Sequence, residues 1–323
     1  MRKRSMVLIA SCSGTLFITP VLAHDIVGLL VESSTITPET AQKFGEIDRS
    51  RDMLAGAAGG HQDVSGLEGV VREALRWPGS TISVCFFGGT SQAREQVSQI
   101  ANEWTLGSGI SFDFGPQGGR RSCNPEKPSN VRVSFDGMGF WSYVGTKARF
   151  IDPSKQTLNL SGMGAARPFS SSERGTILHE FGHALGFEHE HQSPVGGCDN
   201  EFNWNYLYTA LGWDKAKVDF NMRQLSVSSR EDGLLYVTPF DRDSIMLYSL
   251  APEAFIDPAN SSCFISRKND TLSEVDVATE RAMYPASVGN EGAPAMAPAA
   301  GPVISNLEIR GTVSALQQIT GGQ

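Results

Sequence analysis

The sequence predicts an α+β fold, and three observations carry that prediction. Short runs of strand composition crowd the stretch from Thr81 to Leu160. A helix with a start signal at Ser170 and a stop at Gly186 follows them. Beyond it, mixed helix and loop extend to about Pro285.

In chain order, Arg2-Lys3-Arg4, an apolar stretch from Met6 to Leu22 and the small residue Ala23 read as a secretory signal peptide over residues 1–23. As a membrane anchor the stretch is interrupted by Ser11, Ser13, Gly14, Thr15 and Pro20, and it falls short of the ~20 residues a span needs. A lipid anchor at Cys12 leaves too short a hydrophobic region. Residues 24–74 are rich in Gly, Ala, Ser and Asp and read as a leader or pro-segment.

Residues 75–285 form the expected domain, with order starting near Trp77-Pro78-Gly79. Thr81 to Phe87 has strand composition. Ser91 to Leu106 has helical spacing, with Ala93, Val97, Ile100 and Trp104 on one side. Ile110 to Phe114 alternates as a second strand, Val131 to Phe135 is a third, and Trp141 to Val144 and Thr157 to Leu160 are further short ones. Ser170-Ser171-Ser172-Glu173 opens the next helix, which runs to Leu185. Residues 286–323, with a Gly-, Ala- and Pro-rich run at 289–302, are low-complexity linker and tail.

The formal charge of −8 becomes −11 once residues 1–23, with three basic residues and no acidic one, are removed. An acidic chain of this kind is a poor partner for nucleic acid or an anionic membrane surface. Four cysteines remain, Cys85, Cys123, Cys198 and Cys263, and none has C-x-x-C metal spacing. In a secreted or periplasmic protein an even count favours two disulfides.

The central chemical signal is His179-Glu180-Phe181-Gly182-His183-Ala184-Leu185-Gly186-Phe187-Glu188-His189. On a helix, His179 and His183 leave one face one turn apart, which suits two nitrogen ligands of a single ion. Glu180 sits beside the ion rather than on it, placed to take a proton from a water. Gly186 permits the left-handed exit that brings His189 in as third ligand. Three neutral donors with one open position are the pattern of a catalytic zinc. H-E-x-x-H alone arises by chance in roughly 1% of chains of this length; the spaced Gly and His lower that to order 10⁻⁵. His191 reads as a surface residue or one lying beside the ligands, and His24 and His61 fall in the leader.

This stretch resembles the metzincin signature H-E-x-x-H-x-x-G-x-x-H, with its Met-turn at Ser244-Ile245-Met246-Leu247-Tyr248. Among metzincins it is most similar to the astacin family. His183 to Glu190 follows the astacin pattern, Tyr248 stands two places after Met246, and Trp77-Pro78 and Trp141 to Gly145 match segments such enzymes carry upstream. The resemblance covers roughly residues 75–285. It implies a metzincin-type zincin fold, a twisted mixed sheet with the active-site helix behind it and a smaller C-terminal subdomain across a zinc-holding cleft. It also implies a secreted zinc endopeptidase with one Zn²⁺ on His179, His183 and His189, Glu180 as general base, and a peptide or protein substrate. Met246 would form an apolar bed under the metal, and Tyr248 would bind zinc at rest and swing to stabilise the oxyanion. The strand near Phe140 to Val144 would pair with an extended substrate, and Glu190 would help hold the amino terminus freed by pro-segment removal.

The chain departs from the astacin pattern at Ser193, where an Arg is usual, and lacks a Phe-x-Gly-Asp switch between residues 24 and 75. The expected disulfides are Cys85–Cys123, tying two neighbouring strand regions, and Cys198–Cys263, joining the loop after the zinc helix to the loop after the Met-turn. The competing readings are a non-catalytic binding protein on a zinc scaffold and a hydrolase of a non-peptide amide. The intact Glu180 and ligand set weigh against the first.

Overall fold

The computed structural model describes residues 71–72, 75–211, 215–225 and 235–286. The signal peptide, nearly all of the leader and the tail lie outside the described residues.

The main sheet has five strands: β2 (Thr81–Phe87), β3 (Ser111–Asp113), β4 (Val131–Ser134), β5 (Phe140–Ser142) and β6 (Leu158–Leu160). Their order is β3-β2-β4-β6-β5, all parallel except β5, which runs antiparallel to β6 at one edge. Strands buried on both faces need apolar residues at successive positions. Val84, Cys85 and Phe86 supply this in β2. A two-stranded pair, β1 (Val71–Arg72) with β7 (Leu235–Tyr236), lies apart from this sheet. Val71 is wholly buried in the main core, so the chain is already packed against the body of the protein upstream of Leu75.

Helix α1 (Ser91–Ala101) stops five residues short of the expected Leu106. Past Asn102 the bonds tighten to i→i−3, from Trp104 N to Ala101 O and from Thr105 N to Asn102 O. Trp104 still turns inward while Leu106 faces solvent. Helix α2 (Ser171–Leu185) opens with a reciprocal capping box between Ser170 and Glu173 and closes at Gly186, whose φ of 113° is open to glycine and hostile to most other residues. Donors from distant parts of the chain hold α2 in place. Trp104 Nε1 donates to Leu178 O at 2.7 Å, Trp77 Nε1 to Ala184 O at 2.7 Å and Tyr284 Oη to Leu185 O at 2.6 Å. The latter two satisfy carbonyls that the last turn of a helix leaves open.

After α2 come α3 (Cys198–Glu201), α4 (Trp204–Ala210), α5 (Lys215–Met222) and α6 (Glu274–Met283). Cys198, Phe202, Leu207, Val218, Met222, Phe255 and Cys263 form a second apolar cluster, the core of the C-terminal part. The disulfides join Cys85 to Cys123 and Cys198 to Cys263, the pairing expected. Among the described residues no helix is long and apolar enough to cross a membrane.

Candidate metal centre

His179 and His183 stand one turn apart on α2, and His189 follows the left-handed exit at Gly186. The three residues are buried, and one ligand atom from each lies within 4.8 Å of the others. Each ring is held at its far nitrogen by an oxygen that can only accept, which fixes the proton on Nδ1. His179 Nδ1 donates to Ile245 O at 2.8 Å, His183 Nδ1 to Phe187 O at 2.8 Å and His189 Nδ1 to Gln192 Oε1 at 3.1 Å. The Nε2 lone pairs are thereby left to converge. His183 Nε2 and His189 Nε2 approach to 3.1 Å, near the ~3.3 Å that a tetrahedral ion with ~2.0–2.1 Å bonds would impose. His179 Nε2 is buried without a hydrogen bond. This donor set fits a zinc ion.

The electrostatics point the same way. Burial, then the neighbouring His183, pushes the His179 imidazole well below its ordinary range. Burial and the surrounding His183, His191 and His179 do the same to His189, and burial lowers His183. Rings kept neutral are the protonation state a metal ligand needs.

Glu180 is buried one position along α2 from His179. The Tyr248 ring lies 4.2 Å from that of His189 and 5.4 Å from that of His179, centroid to centroid. Met246 is buried beneath α2. β5 ends the sheet, bonded on one side to β6, and packs beside α2. His191 is buried rather than surface-exposed. It stacks on His189 at 5.1 Å and on Tyr248 at 5.0 Å, and its Nε2 donates to Asn221 O at 3.0 Å.

Glu190 is buried, and its Oε1 accepts from Asp241 N at 2.9 Å. Burial raises its carboxyl to about 8, with the acidic Asp276 and Asp241 adding to the rise. Ser193, in place of an Arg, brings no cation to this spot.

Two supporting residues escaped the sequence reading. Asp276 accepts from Ser244 Oγ and Ile245 N, both at 2.8 Å, and so holds the Met-turn whose carbonyl orients His179. Its sequence signal, a Ser273-x-x-Asp276 capping box, marks a helix start and nothing more. Gln192, three residues beyond His189, carries no signal of its own.

The family model for Astacin, a family of peptidases, matches residues 69–284. Blastula protease 10 of Paracentrotus lividus is 30% identical over 139 residues, which are 43% of this chain and 20% of that protein. Astacin-like metalloprotease toxin 1 of Loxosceles intermedia is 29% identical over 172 residues, 53% of each chain. The match thus spans about a fifth of the first relative and about half of the second. The structure of myroilysin is 30% identical with a TM-score of 0.56, covering 68% of this chain and 100% of that one.

Proposed function

The chain belongs to the astacin family of peptidases, and from that premise we propose that it is a zinc-dependent endopeptidase with His179, His183 and His189 as ligands, Glu180 as general base and Tyr248 as oxyanion donor. The observation that carries the proposal is the convergence of three Nε2 lone pairs whose rings are each fixed at Nδ1. When bound, zinc would supply the Lewis acid that polarises a peptide carbonyl and acidifies a water. Glu180, one residue from His179 on the same helix, takes the proton from that water and passes it to the departing amine. The Tyr248 phenol donates to the oxygen that gathers negative charge. β5, at the edge of the sheet, takes an extended peptide as an added strand.

Two disulfides support a secreted or periplasmic setting, in line with the signal peptide read at residues 1–23. Residues 24 to about 70 would be a leader whose removal frees an α-amino group as counter-charge for Glu190.

The test is cleavage of a peptide library by the purified protein, with and without chelator, beside the variant Glu180→Gln. Chelator should abolish cleavage and zinc restore it. Glu180→Gln should keep zinc while losing at least ~10² in turnover. Near-normal turnover in a homogeneous Glu180→Gln preparation would sink the assignment.

A further inference from the structure

We propose that Gln192 is a positioning residue of the metal centre, whose side-chain amide sets the tautomer and tilt of His189 and ties that ligand to the C-terminal end of α5. The proposal rests on the reading of His189 as a metal ligand. Gln192 is 3% exposed, and its amide is oriented by its own bonds. One end donates to Phe220 O at 3.0 Å and Arg223 O at 3.1 Å, and only the amide nitrogen can do that. The end that faces His189 Nδ1 is therefore the oxygen. An amide oxygen only accepts, so the ring proton of His189 must sit on Nδ1, and Nε2 is left as the donor for the ion.

The three ligands differ in what orients them. His179 and His183 give their Nδ1 protons to main-chain carbonyls of Ile245 and Phe187, which no side-chain substitution deletes. His189 alone depends on a side chain. That side chain is in turn clamped by α5, whose final carbonyls lack partners within the helix. Phe220 O and Arg223 O receive Gln192, Asn221 O receives His191 Nε2, and Leu225 N donates back to Gln192 O at 2.8 Å. The Arg223 side chain anchors the same segment through Asp219, Asp199 and the Tyr208 hydroxyl. A shift of α5 would thus reach the third ligand through one amide. Partners of this kind govern metal affinity by about 10–100-fold in other metal sites.

The experiment uses the full chain. Gln192→Met removes acceptor and donors at similar volume. Zinc affinity is read by chelator competition, and ligand geometry by the visible absorption of the cobalt-substituted protein. Gln192→Met should bind zinc ~10–100-fold more weakly with an altered cobalt spectrum. A Gln192→Met protein that matches wild type in affinity and spectrum overturns the proposal. Nitrogen-15 shifts of the histidine rings in metal-free wild type test it without any variant, because an Nε2–H tautomer at His189 also overturns it. If wild type itself fails to bind zinc, the ligand assignment falls and this proposal with it. Unchanged binding in the variant removes the role of Gln192 alone.

Discussion

Gly182 lies so close to Met246 that a methyl group placed on it would sit 2.5 Å from the Met246 sulfur and 2.9 Å from Trp104 Cζ2. Position 182 is one of the two free positions of the H-E-x-x-H stretch, yet the apolar bed under the helix leaves no room there. Gly182→Ala should therefore push Met246 aside and destabilise the protein by about 1–3 kcal/mol, the usual cost of overpacking. Denaturant unfolding of metal-free protein measures it, and an Ala variant as stable as wild type would show that Met246 yields freely.

Asp276 uses both oxygens on main-chain and side-chain donors: Oδ1 on Ser244 Oγ, and Oδ2 on Ile245 N at 2.8 Å and Ser273 N at 2.9 Å. Asp276→Ala removes both accepting oxygens and leaves the buried Ile245 N–H without its partner. The expected outcome is a loss of about 2–3 kcal/mol, the scale of buried unpaired groups. Because Ile245 O orients His179, zinc affinity should fall as well. A destabilised variant with unaltered zinc affinity would disconnect the Met-turn anchor from the ligand.

Asp276 and Gln192 mark where the sequence stopped being legible. Thr81–Phe87 could be read as a strand to its ends, because β-branched and aromatic runs are local. The Ser170–Glu173 box and the left-handed Gly186 are local too, so the bounds of α2 and the approach of His189 to His179 and His183 follow from spacing alone. The break of α1 at Ala101 was hidden, since Trp104 keeps its inward position through a tighter turn. Asp276 and Gln192 were hidden for another reason. Their partners lie 31 residues away at Ile245 and 28 at Phe220, and a contact across such a gap leaves no periodicity in the chain. Burial of His191 likewise depends on the Asn221 carbonyl, 30 residues on.

The Tyr248 ring rests against His189 and His179, so its phenol is the part that chemistry would use and its ring the part that packing uses. Tyr248→Phe separates them. It should retain zinc and fold normally while losing about 10²–10³ in kcat, the range for removing one oxyanion donor. Steady-state kinetics with metal analysis decides it, and a kcat within about threefold of wild type would leave Tyr248 a structural phenol.

Glu280 on α6 is wholly buried, and its oxygens gather no well-formed hydrogen bond, the Ser108 hydroxyl being directed at Ile110 O. Burial raises its carboxyl from 4.5 to about 7, against the pull of Ser108 and Arg281. A carboxyl whose folded pKa lies above its unfolded value favours folding in its protonated form. Its contribution is complete below pH 4.5 and is lost as pH climbs through about 7. Glu280→Gln carries no charge at any pH and should escape this loss. The variant should match wild type near pH 4.5 and exceed it at pH 8 by up to about 3 kcal/mol, from ~1.4 kcal/mol for each pKa unit. Glu190 and Asp276 have raised pKa values as well, but they titrate in both proteins and leave the difference between them to Glu280. Denaturant midpoints of metal-free wild type and variant across pH 4.5–8 provide the measurement. Two curves that stay parallel over that range would mean that Glu280 is ionised in the folded protein at little cost, through water or a local opening beside Ser108.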